Sequence, residues 1–320
     1  MAPPALYFGV GRGTARSRSS RPRVRDCGAA DASGRRNILA FSQRPRRSAA
    51  FKIVKARDTM PPVFRGTDDK GNPIGTNVTF WKAVKAGAKD KAGKPLWYKK
   101  GIQYWDGVDA TDDGVLGGYG HVSSLDAREN SEFLEDVMGE HLEEARDDGQ
   151  KLVSLDCGAG IGRVTGSFLI DHFDECDLVE PVAHFIGKAE ETLGGESKRP
   201  DGHRCVNFFV EPLESFTPEP GRYDAVWIQW CVGHLTDEDF VAFFRRCAEG
   251  LKPGGMVFMK ENNAKDGFVL DTDDSSLTRS HKYFMHLFED QLGWEVAKHR
   301  LQKDFPKELF GVRMYALRPK

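Results

Sequence analysis

From residue 151 onward, short apolar runs alternate with helical segments, and this pattern restricts the fold more than any other feature of the 320-residue chain. The runs cover 152–156, 176–180, 206–210, 223–228 and 255–260. Their length, and the helical spacers between them, predict parallel strands joined by crossover helices. Two further runs, 294–297 and 313–317, follow a predicted helix at about 280–292. Five βα units that end in a strand pair predict an α/β fold, a doubly wound and mostly parallel sheet of seven strands. The chain has no long internal repeat, which sets a solenoid aside. Upstream, regular structure is expected to begin near Trp97, and apolar residues at three- and four-residue spacing over 131–145 predict an amphipathic helix.

The formal charge of −2 conceals an uneven distribution. Residues 1–60 hold 12 Arg and 2 Lys against 3 Asp and no Glu, a local charge of +11 that leaves −13 on residues 61–320. Such a basic, acid-poor stretch with several Ser reads as a disordered arm or a targeting leader and not as part of a core. Residues 61–95, rich in Gly, Lys, Asp and Pro, read as a linker with one short helix, and 96–320 as the folded domain. The acidic body disfavours a sequence-independent grip on nucleic-acid phosphate and suits a cationic partner. No apolar run reaches the roughly 18 residues that a bilayer-spanning helix needs, so no membrane partner is expected. The six cysteines form no C-x-x-C pair and no zinc pattern with His, so no metal site is expected. Four of them, Cys157, Cys176, Cys205 and Cys231, sit in or beside apolar runs as small buried hydrophobes.

The first predicted strand runs into Asp156-Cys157-Gly158-Ala159-Gly160-Ile161-Gly162-Arg163, where a helix is expected to open. Glycines there let backbone approach a ligand, and the free N–H groups of a helix start favour electron-rich atoms. The dinucleotide fingerprint needs G-x-G-x-x-G, but here the third glycine comes one residue early and Arg163 stands in its place, which argues against a nicotinamide cofactor. The second predicted strand ends in Glu180, about 20 residues on, where an acid can accept both hydroxyls of an adenosine ribose. The two features together resemble the first two motifs of class I methyltransferases, which bind S-adenosylmethionine. In that fold the stretch Glu211-Pro212-Leu213-Glu214 would read adenine, and Gln229 would end the fourth strand beside the cofactor.

Outside this half, polar and aromatic residues concentrate in LGGYGH (116–121), in WIQW (227–230) followed by GHLTD (233–237), in KENN (260–263) and in DTDDSS (271–276). Function tends to sit at such strand ends and loops. Together with LDCGAGIGR (155–163) and FTPEP (216–220), these words resemble the α-N-terminal protein methyltransferases over about residues 97–317. Members of that family modify proteins that begin Xaa-Pro-Lys once the initiator Met is removed. The resemblance implies a Rossmann-like class I fold with an N-terminal helical extension. By position it implies cofactor contacts from Gly158, Gly160, Arg163, Glu180, Pro181, Val182, Leu213, Glu214 and Gln229. It implies substrate contacts from Trp105, Leu116, Tyr119, Trp230, His234, Asn262, Asp271, Asp274 and Ser276, among which His234, Asp274 and Asn262 are the candidate catalytic residues. The chain departs from the family where Glu180 stands for a familiar Asp, where Arg313 stands for a Tyr, and in its N-terminal extension. The resemblance places such a protein in nucleus and cytoplasm, while the Arg-rich leader leaves an organelle address as the alternative.

The chemistry agrees with those residue types. A sulfonium methyl passes to a neutral amine, yet a free α-amino group, with a pKa of about 7.7 to 8.0, is mostly protonated at neutral pH. His234 and Asp274 are the expected proton acceptors, an imidazole near its working range and a carboxylate to orient or relay the proton. Asn262 would anchor peptide backbone, Trp230 would wall the proline ring, and Asp271 would face a Lys or Arg at the third position. Two other readings stay open at this level: a class I methyltransferase for a small-molecule amine or hydroxyl, and a noncatalytic relative that keeps the nucleotide fold.

Overall fold

A computed structural model describes residues 62–196 and 199–320. The expectations for residues 1–60 lie outside the described residues. The predicted strands form one seven-stranded sheet from β3 (Val153–Cys157), β4 (Glu175–Val179), β5 (Arg204–Phe209), β6 (Tyr223–Gln229), β7 (Leu251–Asn263), β10 (Glu295–Leu301) and β11 (Gly311–Arg318). Their order is β10-β11-β7-β6-β3-β4-β5. The five strands from β3 to β7 pair in parallel, and β11 enters antiparallel beside β7. Strands β3, β4 and β6 are buried along their whole length, which is why they read as continuous apolar runs and not as alternating ones.

Helices cover both faces. On one lie α3 (Ser123–Asp147), with Phe133, Leu134, Met138 and Leu142 turned inward, and α4 (Ala183–Leu193), with Ile186 and Ala189. On the other lie α5 (Asp237–Gly250), with Phe240, Phe243 and Phe244, and the helical stretch of α6 (His281–Met285) continued by a wide turn at His286–Leu292. The predicted helix at 131–145 is thus the C-terminal part of a longer α3, whose N-terminal turns carry a buried polar stripe of Asp126, Glu129 and Asn130.

Of the stretch expected to be a linker, residues 62–95 are folded. Here β1 (Arg65–Asp68) and β2 (Pro73–Thr76) form a hairpin, and α1 (Asn77–Ala86) follows from a Thr76 capping box. The hairpin joins β8 (Phe268–Asp271) and β9 (Ser276–Arg279) in a second sheet ordered β2-β1-β8-β9. Its pairing of β1 with β8 spans some 200 residues of sequence, and four-residue strands carry too little pattern to announce it. Packing replaces pattern as the cause. Phe64 stacks on Tyr283 with ring centroids 4.1 Å apart, and Trp81 meets Trp97 edge-on at 5.3 Å beneath the buried guanidinium of Arg279. The N-terminal extension is therefore a hairpin and two helices, α1 and α2 (Leu96–Asp106), and not helical alone.

If this stretch belongs to the core, Trp81→Ala costs about 3 to 5 kcal/mol, the range for emptying a buried aromatic site. Denaturant unfolding of the two proteins measures it; a change within about 0.5 kcal/mol, as for a surface position, would restore the linker reading.

Candidate active site

The parallel strands end at one edge of the sheet, and both candidate cavities open there. After β3 the chain turns at Gly158, with φ at 68°, and again at Gly160 and Gly162. Gly158 has a second reason to lack a side chain: a Cβ there would lie 2.5 Å from Cβ of Cys231. Its N–H and that of Ala159 donate to the Val179 carbonyl, at 2.9 and 3.1 Å, which ties the loop to the end of β4. Asp156, buried at the end of β3, accepts the Thr165 hydroxyl at 2.6 Å, and burial pushes its carboxyl up to about 6.

Glu180 follows β4 and accepts from Gly160 N–H at 3.0 Å and Val182 N–H at 2.9 Å. Burial pushes its carboxyl up to about 7 against those two donors. All nine residues implied as cofactor contacts, Gly158, Gly160, Arg163, Glu180, Pro181, Val182, Leu213, Glu214 and Gln229, line one cavity of about 150 Å³. Phe185, Pro212 and Leu213 make one part of its wall apolar, while Arg163 and Gln229 make another polar. Glu214 meets Lys94 at 3.0 Å, a partner from the segment ahead of α2 that no local pattern marks.

A second cavity, of about 740 Å³, adjoins it and is lined by Trp105, Leu116, Trp230, His234, Asn262, Asp271, Asp274 and Ser276. Tyr119 stands apart from these, in a small cavity of about 20 Å³ behind Leu116, Trp230 and Asn262. Asp69, Asp109, Asp113 and Glu261 also line the large cleft, which has no Lys or Arg among its described lining residues. Trp105, Val115, Leu116, Trp230 and His234 line both the first and the second cavity, so the two share a wall. Arg313 is at neither; on β11 it donates to His299 Nδ1 at 3.0 Å.

Trp230 sits at the junction in the left-handed region, with φ at 53°, a strained conformation for a bulky residue and one that clusters at functional sites. Its N–H donates to the Lys260 carbonyl at 3.0 Å, and Arg163 lies 5.6 Å from its ring centroid. His234 is held at both nitrogens: Trp105 Nε1 donates to Nε2 at 3.0 Å, and Nδ1 lies 3.2 Å from the Ser275 carbonyl. A carbonyl only accepts, so these partners place the proton on Nδ1 and commit the Nε2 lone pair to Trp105. Gly101 of α2 permits this packing, since a Cβ there would lie 3.1 Å from His234 Nδ1.

Asp271 ends β8 and turns Oδ1 back to the N–H groups of Asp273 and Asp274, at 2.8 and 3.4 Å. Burial, reinforced by the charge of Asp274, pushes its carboxyl up to about 6. Ser275 takes φ at 57° to close the β8–β9 turn, so the DTDDSS stretch is a tight hairpin and not a loop. Within it Asp274 Oδ1 is buried and has no hydrogen-bond partner. Glu261, on β7, accepts from Val232 N–H at 3.1 Å and Asn262 N–H at 3.2 Å, and burial pushes it up to about 7. Asp69 carries no mark in the sequence, and Glu261 only that of the KENN run, polar residues at a strand end.

The residues fit the group their motif implies: a buried acid for two hydroxyls, a glycine that leaves no room for a Cβ, and an apolar wall. Comparison with known proteins agrees. Residues 93–318 match the family model described as AdoMet dependent proline di-methyltransferase. An alpha N-terminal protein methyltransferase 1 of Arabidopsis thaliana is 48% identical over 252 residues, 79% of this chain and 90% of that protein. The N-terminal Xaa-Pro-Lys N-methyltransferase 1-B of Xenopus laevis is 40% identical over 69% of this chain and 95% of its own length. A solved SAM-dependent methyltransferase of Leishmania major superposes with a TM-score of 0.70 at 36% identity, covering 82% of this chain and all of that one. The chain therefore belongs to the AdoMet-dependent proline di-methyltransferase family and is an S-adenosylmethionine-dependent methyltransferase.

Proposed function

We propose that this methyltransferase modifies the α-amino group of proteins that begin Xaa-Pro-Lys, the substrate class in the names of its relatives. The observation that carries the reading is the wall shared by the two cavities. It brings the glycine loop and an acidic cleft to one place, and the acids suit a substrate that carries an ammonium at its end and a Lys two residues on. Bound S-adenosylmethionine supplies an electrophilic methyl group. The chain's own residues have three tasks: to hold the amine in line with that methyl, to take its proton, and to keep the peptide from turning.

Asp274 is the residue best placed to take the proton, since Oδ1 is enclosed beside the cleft with no donor of its own. His234, with its lone pair committed to Trp105, orients the wall; it accepts a proton only if that bond opens. Trp230 offers a face for the proline ring and Asn262 a polar anchor for backbone. Asp271, held by its own turn, keeps its other oxygen for the Lys ammonium.

Mass spectrometry of a Ser-Pro-Lys peptide incubated with enzyme and S-adenosylmethionine tests the reading, with an N-acetylated copy as control. Methyl groups are expected on the α-nitrogen and none on the acetylated copy; methylation of the Lys side chain in both would contradict it. In the same assay Asp274→Asn is expected to lower kcat by about 10² to 10⁴. The deficit should shrink as pH rises and the peptide arrives deprotonated; a constant deficit, or one wholly in KM, would make Asp274 a binding group instead.

Glu180 gives a second pH prediction. Its carboxyl, raised to about 7, is protonated below that pH, and ribose hydroxyls donate best to the ionised form. Cofactor affinity should therefore rise as pH climbs through about 7, with proton release on the acid side, and then level off. Calorimetry in buffers of different ionisation enthalpy measures both. Glu180→Gln should bind more weakly and without this rise; an identical pH profile in the variant would place the ribose elsewhere.

A further inference from the structure

Beneath Trp230 lies a group of buried charges whose centre none of the three cavities reaches. Asp126, in the first turn of α3 and fully enclosed, accepts from Arg163 at 2.8 Å, from Gln229 Nε2 at 2.8 Å, and from Lys260 Nζ. Lys260, also fully enclosed, donates onward to Asn130 Oδ1 at 2.7 Å. Asn130 Nδ2 closes the ring by donating to Gln229 Oε1 at 3.0 Å. One carboxylate thus gathers side chains from the glycine loop, the end of β6 and the end of β7.

Each of those side chains leads to a ligand wall. Arg163 and Gln229 line the cofactor cavity. Lys260 leads to the cleft through Trp230, which donates its N–H to the Lys260 carbonyl and holds its ring centroid 5.8 Å from Nζ. Burying an acid with two cations is a costly way to fill a core, and apolar residues of the same volume often serve stability as well or better. What they cannot supply is direction. A carboxylate that accepts three donors fixes the orientation of all three.

We propose that Asp126 is a positioning residue for methyl transfer: by holding Arg163, Gln229 and Lys260 on one carboxylate, it keeps the cofactor wall and the Trp230 wall of the cleft in register. Burial works against its ionisation, but the charges of Lys260 and Arg163 outweigh burial and hold the carboxyl below the ordinary carboxylate range. The cofactor half of this inference stands on the family; the cleft half rests on the peptide reading given above.

The test compares three full-length proteins: wild type, Asp126→Asn, and Asp126→Asn/Lys260→Met, in which the ammonium stranded by the first change is also removed. Calorimetry reads the Kd for S-adenosylhomocysteine, initial rates read the KM for a Ser-Pro-Lys peptide, and scanning calorimetry reads Tm. Asp126→Asn is expected to lower Tm, to raise the Kd about tenfold or more, and to raise the KM. The double variant is expected to recover Tm but not the Kd, because Arg163 and Gln229 still lack their common acceptor. A folded Asp126→Asn whose Kd stays within about twofold of wild type overturns the proposal. So does a double variant that recovers both Tm and Kd, since the carboxylate would then only neutralise Lys260. If the single variant does not fold, those two outcomes in the double variant decide alone. Wild type that binds S-adenosylhomocysteine yet leaves the peptide unmethylated refutes the substrate reading, while the Kd comparison still judges Asp126.

Discussion

The site depends on the contact between Gly158 and Cys231. The loop after β3 and the end of β6 come together only because Gly158 has no Cβ, and its φ of 68° is one that glycine adopts without strain. That approach puts the cofactor loop against the residue that follows Trp230. From there the chain runs through Val232 to His234, and Arg279 of β9, fully buried, ties that stretch down by donating to the carbonyls of Val232 and Leu235 at 3.1 and 2.6 Å. The second sheet thereby fixes the loop that forms the wall common to both cavities. Widening the gap at Gly158 would move the cofactor and the acceptor wall together.

Strain and buried charge concentrate at this same edge. Trp230 holds a left-handed φ, Ser275 does so in the turn beside it, and Asp126, Lys260 and Glu261 are ionisable groups enclosed by protein. Each costs stability, and the rest of the fold offsets that cost with two extensive apolar layers on either face of the sheet. A cleft with several carboxylates and no Lys or Arg among its described lining residues gains from the entry of a positive group, which offsets the burial and the Asp274 charge that together raise Asp271.

The legible part of this chain was the part whose burial is continuous along a strand or periodic along a helix. Strands buried on both faces announce themselves as apolar runs, and β3, β4 and β6 appeared within a residue or two of their ends. The expected cofactor residues come together because loop and acid keep a spacing along the chain that the sheet converts into proximity: Glu180 reaches Gly160 from the neighbouring strand. What stayed hidden depends on partners far along the sequence. The hairpin at 65–76 is two four-residue strands whose place is set by β8, and Asp126 looks like any helix-surface acid until Lys260, 134 residues away, meets it. Two roles also came out differently in space than in order. Tyr119 lies behind the cleft wall, and the Nε2 of His234 is already engaged by Trp105.

The proposed cofactor and amine sites meet along one wall, made by Trp105, Val115, Leu116, Trp230 and His234. A compound that joins the two ligands tests it directly: an adenosyl-methionine analogue whose sulfur position is linked by a short alkyl chain to the α-nitrogen of a Ser-Pro-Lys peptide. If the cavities share that wall, the compound is displaced by either ligand alone and binds about 10² or more tighter than the better of its halves. Displacement by only one of them, with no gain over that half, would mean that the two sites do not meet.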